Sequence, residues 1–137
     1  HQDAIERAQE LCLERGAKRA IKLKVSIASH SPLMLEAANE FQQTIELIEV
    51  LMPKIPILHN ISASKVDNIK DLKTALIAQL HSPVRWVETC IKISSLNLPV
   101  IECGPGKVLS GLFKANKVEN YYSSSDDQFY EKISNYG

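Results

Sequence analysis

The order in which hydrophobic periodicity changes along the chain limits its fold more than any other feature. Ile21, Leu23, Val25 and Ile27 alternate with Lys22, Lys24 and Ser26, the pattern of a strand with one face buried. Before that run, Ile5, Ala8, Leu11 and Cys12 recur at helical spacing over residues 2–15, and Gly16 supplies a C-terminal stop. After it, Ser31-Pro32 opens a helix with proline at its first position, and Met34, Ala37, Ala38, Phe41 and Ile45 form its apolar stripe. Residues 55–59, Ile-Pro-Ile-Leu-His, predict a short buried strand with Pro56 near its start. A helix over 67–80 follows, with Ile69, Leu72, Leu76 and Leu80 on one face. Ser82-Pro83 is expected to cap the next, running to about Ser95 and burying Trp86, Val87, Cys90 and Ile91. Pro99 to Cys103 is another apolar strand, closed by Gly104-Pro105-Gly106, and a helix from about Lys107 buries Leu109, Leu112 and Phe113. A last strand is expected over 118–122, then a terminal helix capped by Asp126 or Asp127 and ending near Tyr136. Apolar strands alternating with helices imply a parallel sheet covered on both faces, an α/β fold.

The 137 residues suffice for one core of ordinary size, and 16 basic side chains balance 16 acidic ones. Zero net charge gives no bulk electrostatic reason to bind nucleic acid or an anionic membrane. No apolar stretch approaches the roughly 20 residues of a membrane span. Cys12, Cys90 and Cys103 are an odd number at wide spacing, which suggests reduced thiols in a cytoplasmic protein rather than a disulfide framework. His1, His30, His59 and His81 show no i, i+4 pairing, so no metal site is expected. His1 runs straight into a helical pattern without a signal peptide or initiator methionine, which reads as a chain beginning inside a larger one.

His30 is the first candidate for chemistry. It follows an apolar strand pattern, precedes a helix and is flanked by Ser29 and Ser31. Active sites of open α/β sheets gather at such strand ends, and histidine can take a proton from a hydroxyl and return it to a leaving group. A solvated turn histidine is the plainer alternative. Gly104-Pro105-Gly106-Lys107 fails as a phosphate-binding P-loop, since Ile101 stands where its first glycine belongs and Val108 where Ser or Thr is needed. A simple strand-to-helix turn fits it better. Cys103 could be a nucleophile at the helix start, but it reads more simply as a small buried hydrophobe. His59 and Asn60 either line a cleft or finish a strand, and Trp86 reads as core. No G-x-S-x-G elbow is present, because Val108 stands two positions before Ser110. A histidine base without a hydroxyl or thiol to activate cannot perform acyl transfer.

The order of these segments resembles a known family. Ala17-Lys18-Arg19-Ala20, the alternating run and Ser29-His30-Ser31-Pro32-Leu33-Met34 look like the histidine region of malonyl-CoA:acyl carrier protein transacylases. Ile55-Pro56-Ile57-Leu58-His59-Asn60 resembles that family's proline-strand-asparagine segment. Ala75-Leu76-Ile77-Ala78-Gln79-Leu80 with Ser82-Pro83-Val84-Arg85-Trp86 is similar to the next landmark, and Glu102-Cys103-Gly104-Pro105-Gly106-Lys107-Val108-Leu109 to the fourth. The likeness covers roughly residues 1–115 and does not extend to the tyrosine-rich end from Glu119.

The resemblance implies an α/β-hydrolase-like parallel sheet with an inserted ferredoxin-like subdomain. Residues 1–27 would end the small subdomain, and 28–137 would be the C-terminal part of the large one. It implies transfer of malonyl from coenzyme A to the phosphopantetheine thiol of acyl carrier protein through a serine ester, in fatty acid biosynthesis. No cofactor would be bound; malonyl-CoA and the phosphopantetheine arm would be substrates. His30 would be the general base, and the backbone carbonyl of Gln79 would hold its other ring nitrogen. The serine, the arginine for the malonyl carboxylate and most of the oxyanion hole would lie in an upstream half of the same enzyme. Asn60 would be a substrate-binding candidate. Lys107 and Arg19, with Lys18, Lys22 and Lys24, would meet the acidic carrier protein. Ile27-Ala28 stand where stand-alone members often carry a proline, which leaves the extender unit open. It also leaves open a polyketide synthase acyltransferase. A non-catalytic carrier-binding module and a lysophospholipase-like hydrolase are the readings from other classes.

Overall fold

The computed structural model describes residues 1–25 and 27–134. Its elements run α1 (Gln2–Glu14), a 3₁₀ turn (Pro32–Met34), α2 (Leu35–Leu47), α3 (Ile69–Ala78), α4 (Trp86–Ser95), β1 (Val100–Glu102), α5 (Val108–Ala115), β2 (Tyr121–Ser123) and α6 (Phe129–Ser134).

β1 and β2 pair in parallel, with Val100 opposite Tyr121, Ile101 opposite Tyr122 and Glu102 opposite Ser123. A parallel pair cannot be joined by a tight hairpin, and α5 fills the crossover, giving a βαβ unit as expected of an α/β fold. The core lies beneath this unit. Cys90 of α4, Phe113 of α5 and Val118 are buried together, with Trp86, Val100 and Tyr121 packed against them. Phe113 stacks on Trp86 at a centroid distance of 5.2 Å.

A second buried layer joins α2 to α3. Ala38 and Ile45 on α2, and Leu72 and Ala75 on α3, are the buried positions of two helices that lie against each other. Met34 and Phe41 of the expected α2 stripe are half-buried, and Ala37 faces solvent. Asn68 starts α3 as its N-cap. Its side-chain oxygen accepts from the Asp71 N–H at 2.8 Å, which satisfies one of the donors a helix start leaves free.

Several expected elements differ. Over the described part of 21–27 no strand forms, and Ile21, Leu23, Val25 and Ile27 are 61–72% exposed. The alternation is that of a strand, but strands exist only against a partner, and none of the described residues pairs with this run. Gln9 donates instead to the Ala20 carbonyl, and Lys22 pairs with Glu6 at 3.2 Å. The 55–59 run is likewise not a strand; Ile55 is 78% exposed, and only His59 makes a single bridge, to Ser64. α4 begins at Trp86 rather than after Ser82, and Val87 and Ile91 are exposed. Leu109 and Leu112 are also exposed, so Phe113 alone carries the buried face of α5. Gly16 does end α1, with a left-handed φ of 91°. The expected helix end at Tyr136 and the strand position Ser26 lie outside the described residues.

Candidate active site around His30

His30 sits in the turn that leads into α2, with φ 62°, a left-handed conformation uncommon for a residue with a side chain. Such a conformation costs on the order of 1–3 kcal/mol and persists where surrounding bonds over-determine it. Three bonds do so here. The His30 N–H donates to the Leu80 carbonyl at 2.9 Å, and Ser31 Oγ donates to the Ala28 carbonyl at 2.8 Å. The third joins His30 Nδ1 to the Gln79 carbonyl oxygen at 2.8 Å.

Both acceptors facing His30 lie just past α3, Gln79 as its C-cap and Leu80 as the next residue. One histidine therefore bonds two consecutive carbonyls at the helix exit, one through its backbone and one through its ring. The fold sets this contact from both sides. α2 runs directly out of the His30 turn, α3 ends at Gln79, and the buried Ala38, Ile45, Leu72 and Ala75 hold the two helices together.

A carbonyl oxygen only accepts, so Nδ1 carries the hydrogen in this contact. Nε2 of the neutral ring then keeps its lone pair, the arrangement of a histidine ready to take a proton. The ring is exposed, so that nitrogen is open to a group outside the described residues.

Asn60 is exposed, and its carbonyl accepts from the Arg85 N–H at 2.7 Å. With His59 and Gln79 it lines a groove of about 440 Å³, so the structure brings Asn60 and Gln79 to one groove, which His30 does not line. His59 is buried, and its Nε2 has no hydrogen-bond partner among the described residues.

The Gly104–Lys107 turn is distant in sequence from His30 and is bound to the chain end. The Gly104 N–H donates to Ser124 Oγ, Ser125 Oγ donates to the Gly104 carbonyl at 2.7 Å, and Ser123 Oγ donates to that of Gly106. Gly104 and Gly106 have φ of 134° and 88°, which explains glycine at both positions. Lys107 forms an ion pair with Asp126. That hydrogen bond raises the lysine pKa and lowers that of the aspartate from their ordinary values. Arg19, Lys18 and Lys24 are exposed. Cys103 is exposed, contrary to the buried reading, because it lies past the end of β1.

Glu102 is a residue that sequence reasoning missed. Its carboxylate, on a buried side chain at the end of β1, accepts from the Leu109 N–H at 2.9 Å, the Ser110 N–H at 2.8 Å and Ser110 Oγ at 2.6 Å. It thus caps the start of α5. The Ser110 hydroxyl is the main cause that holds its carboxyl below the usual range, with the backbone donors adding to it. The available signal was an acidic residue closing an apolar strand just before a Gly-Pro-Gly turn.

No family model matches the chain. The chain is 46% identical over 112 residues to the malonyl CoA-acyl carrier protein transacylase of Haemophilus influenzae, covering 81% of this chain and 36% of that protein. The malonyl-CoA:acyl carrier protein transacylase of Xanthomonas oryzae pv. oryzae superposes with a TM-score of 0.89 at 36% identity, over 97% of this chain and 43% of that one. A malonyl-transacylase solved in complex with a type II PKS acyl-carrier protein superposes with a TM-score of 0.83 at 35% identity, over 96% and 43%. The chain thus spans well under half the length of the relatives it matches.

Proposed function

Because this chain belongs to the malonyl CoA-acyl carrier protein transacylase family, as a match to its C-terminal portion, we propose that it is the histidine-bearing part of such an enzyme. The reaction is transfer of malonyl from coenzyme A to the phosphopantetheine thiol of acyl carrier protein in fatty acid biosynthesis, in the cytoplasm. We assign residues 1–27 to the end of a ferredoxin-like small subdomain and 28–137 to the large subdomain.

The observation that carries the reading is the 2.8 Å contact between His30 Nδ1 and the Gln79 carbonyl. In this role His30 Nε2 takes the proton of a serine hydroxyl as the oxygen attacks the thioester carbonyl. It returns that proton to the departing coenzyme A thiolate. The same nitrogen then takes the proton of the carrier's phosphopantetheine thiol as its sulfur attacks the serine ester carbonyl, and returns it to the serine oxygen as the C–O bond breaks, which restores the free hydroxyl. Gln79 stands where a triad has a carboxylate: it fixes tautomer and ring orientation but brings no charge. The serine comes from the segment of the enzyme that this chain does not span. A polyketide pathway is the second reading, supported by the likeness to a transacylase bound to a type II PKS carrier protein.

Intact-mass measurement tests the division of labour. Incubated with malonyl-CoA, the complete enzyme is expected to gain one malonyl group, and the 137-residue chain alone none. A stable stoichiometric adduct on this chain alone contradicts the proposal.

A further inference from the structure

Ser31 holds the N-cap position of the 3₁₀ turn that leads into α2, yet its side chain caps neither element. A serine at such a position commonly accepts from an N–H two or three residues on, which satisfies a donor that the helix start leaves free. Here the hydroxyl turns the other way and donates to the Ala28 carbonyl at 2.8 Å. Pro32 restricts the residue before it to extended backbone, and Ser31 has φ −134° and ψ 160°. The backward bond closes a turn from Ala28 to Ser31 with His30 inside it.

His30 is strained in that turn, at φ 62°. Relaxing to negative φ would swing its Cα–Cβ bond and carry the ring away from the Gln79 carbonyl, 2.8 Å from Nδ1. The bond from the His30 N–H to Leu80 anchors the peptide before that rotation and leaves the rotation itself free. The Ser31 hydroxyl, by contrast, ties the residue after His30 to the carbonyl of Ala28, two residues before it, and so constrains both His30 dihedrals. We propose that Ser31 is a positioning residue: its hydroxyl, diverted from helix capping, holds His30 in the left-handed turn and thereby keeps Nδ1 on the Gln79 carbonyl. What the ring then does rests on the transacylase reading above; how it is held does not. Ser31 touches no reacting atom and acts through the tautomer of His30. Without the Gln79 contact, the hydrogen of a neutral imidazole moves largely to Nε2, which then has no lone pair to take a serine proton.

The test uses the complete enzyme containing this chain, labelled with ¹⁵N-histidine, since ring ¹⁵N shifts separate a protonated nitrogen from an unprotonated one. With the ring neutral, the unsubstituted enzyme should carry the His30 hydrogen on Nδ1. Ser31→Ala should move it towards Nε2. The same variant should slow serine acylation by malonyl-CoA about 3- to 10-fold, the weight of one net hydrogen bond, with KM changed less than about 2-fold. Ser31→Thr returns the hydroxyl on a residue suited to extended backbone and should restore both readouts. On a His30→Ala background, Ser31→Ala should slow acylation no further, because the two residues act through one ring. A hydrogen that stays on Nδ1 in a folded Ser31→Ala enzyme would overturn the inference, as would a Ser31→Thr enzyme no better than it. An undiminished loss on the His30→Ala background would do the same. So would an unsubstituted enzyme with the hydrogen on Nε2, whether or not the variants fold. A tautomer shift in an enzyme that transfers no malonyl would support the positioning and overturn the proposed function instead.

Discussion

Replacing Phe113 with alanine removes the ring around which the βαβ unit is packed. That ring is 4% exposed, stacks on Trp86 at 5.2 Å and faces Tyr121 at 6.0 Å, with Cys90 and Val118 completing its surroundings. Loss of a buried phenylalanine side chain costs about 3–5 kcal/mol. Aromatic stacking supplies about 0.5–1.5 kcal/mol of that beyond area burial. Domains are stable by only about 5–15 kcal/mol, so this one substitution removes a large share. The assay is urea unfolding followed by the fluorescence of Trp86, the single tryptophan. With an m-value of about 2 kcal/mol/M, a loss of about 4 kcal/mol lowers the midpoint by about 2 M. Phe113→Leu keeps most of the volume and should lose under about 1.5 kcal/mol. A folded Phe113→Ala chain that loses less than about 1 kcal/mol would refute the claim that this ring organises the core, as would equal losses for Ala and Leu.

Glu102 has a folded pKa below its unfolded one, so its capping bonds to α5 are fully present above the ordinary glutamate range. The stability they contribute is lost as pH falls through the ordinary glutamate range to the lower folded value, and Glu102→Gln should flatten that part of an acid unfolding curve. Charge reversal of Lys107 should raise KM for carrier protein well above its effect on malonyl-CoA, because the lysine acts through a long-range field; equal effects on both substrates would argue against docking there. Since Lys107 is paired with Asp126, Asp126→Asn should free the ammonium and lower KM for carrier protein, and a rise would contradict this account.

Local signals were legible where a residue acts on its own neighbours. Gly16 ends α1, Pro32 opens the turn into α2, and the Val100–Glu102 strand with its α5 crossover lies within its expected range. The runs at 21–27 and 55–59 carry strand patterns yet form no strand among the described residues, because a strand is completed only by a distant partner. His30 stood out by lying between an apolar run and a helix start. Gln79 was named only through the family resemblance; its residue type could not mark it, since it contributes a main-chain oxygen that any residue has and its place comes from where α3 ends. Glu102 was hidden for a related reason: its three donors lie seven and eight residues downstream, across the Gly104–Gly106 turn.

The most direct test of His30 is the rate of serine acylation by malonyl-CoA in the complete enzyme. His30→Ala should slow it by on the order of 10²–10⁴, as expected for lost general-base catalysis. Gln79→Ala keeps the main-chain carbonyl 2.8 Å from Nδ1 and should lose little. A Gln79→Ala enzyme as slow as His30→Ala, with its fold intact, would assign the side chain a role that the carbonyl contact does not provide. Near-normal acylation by His30→Ala would contradict the account at its centre.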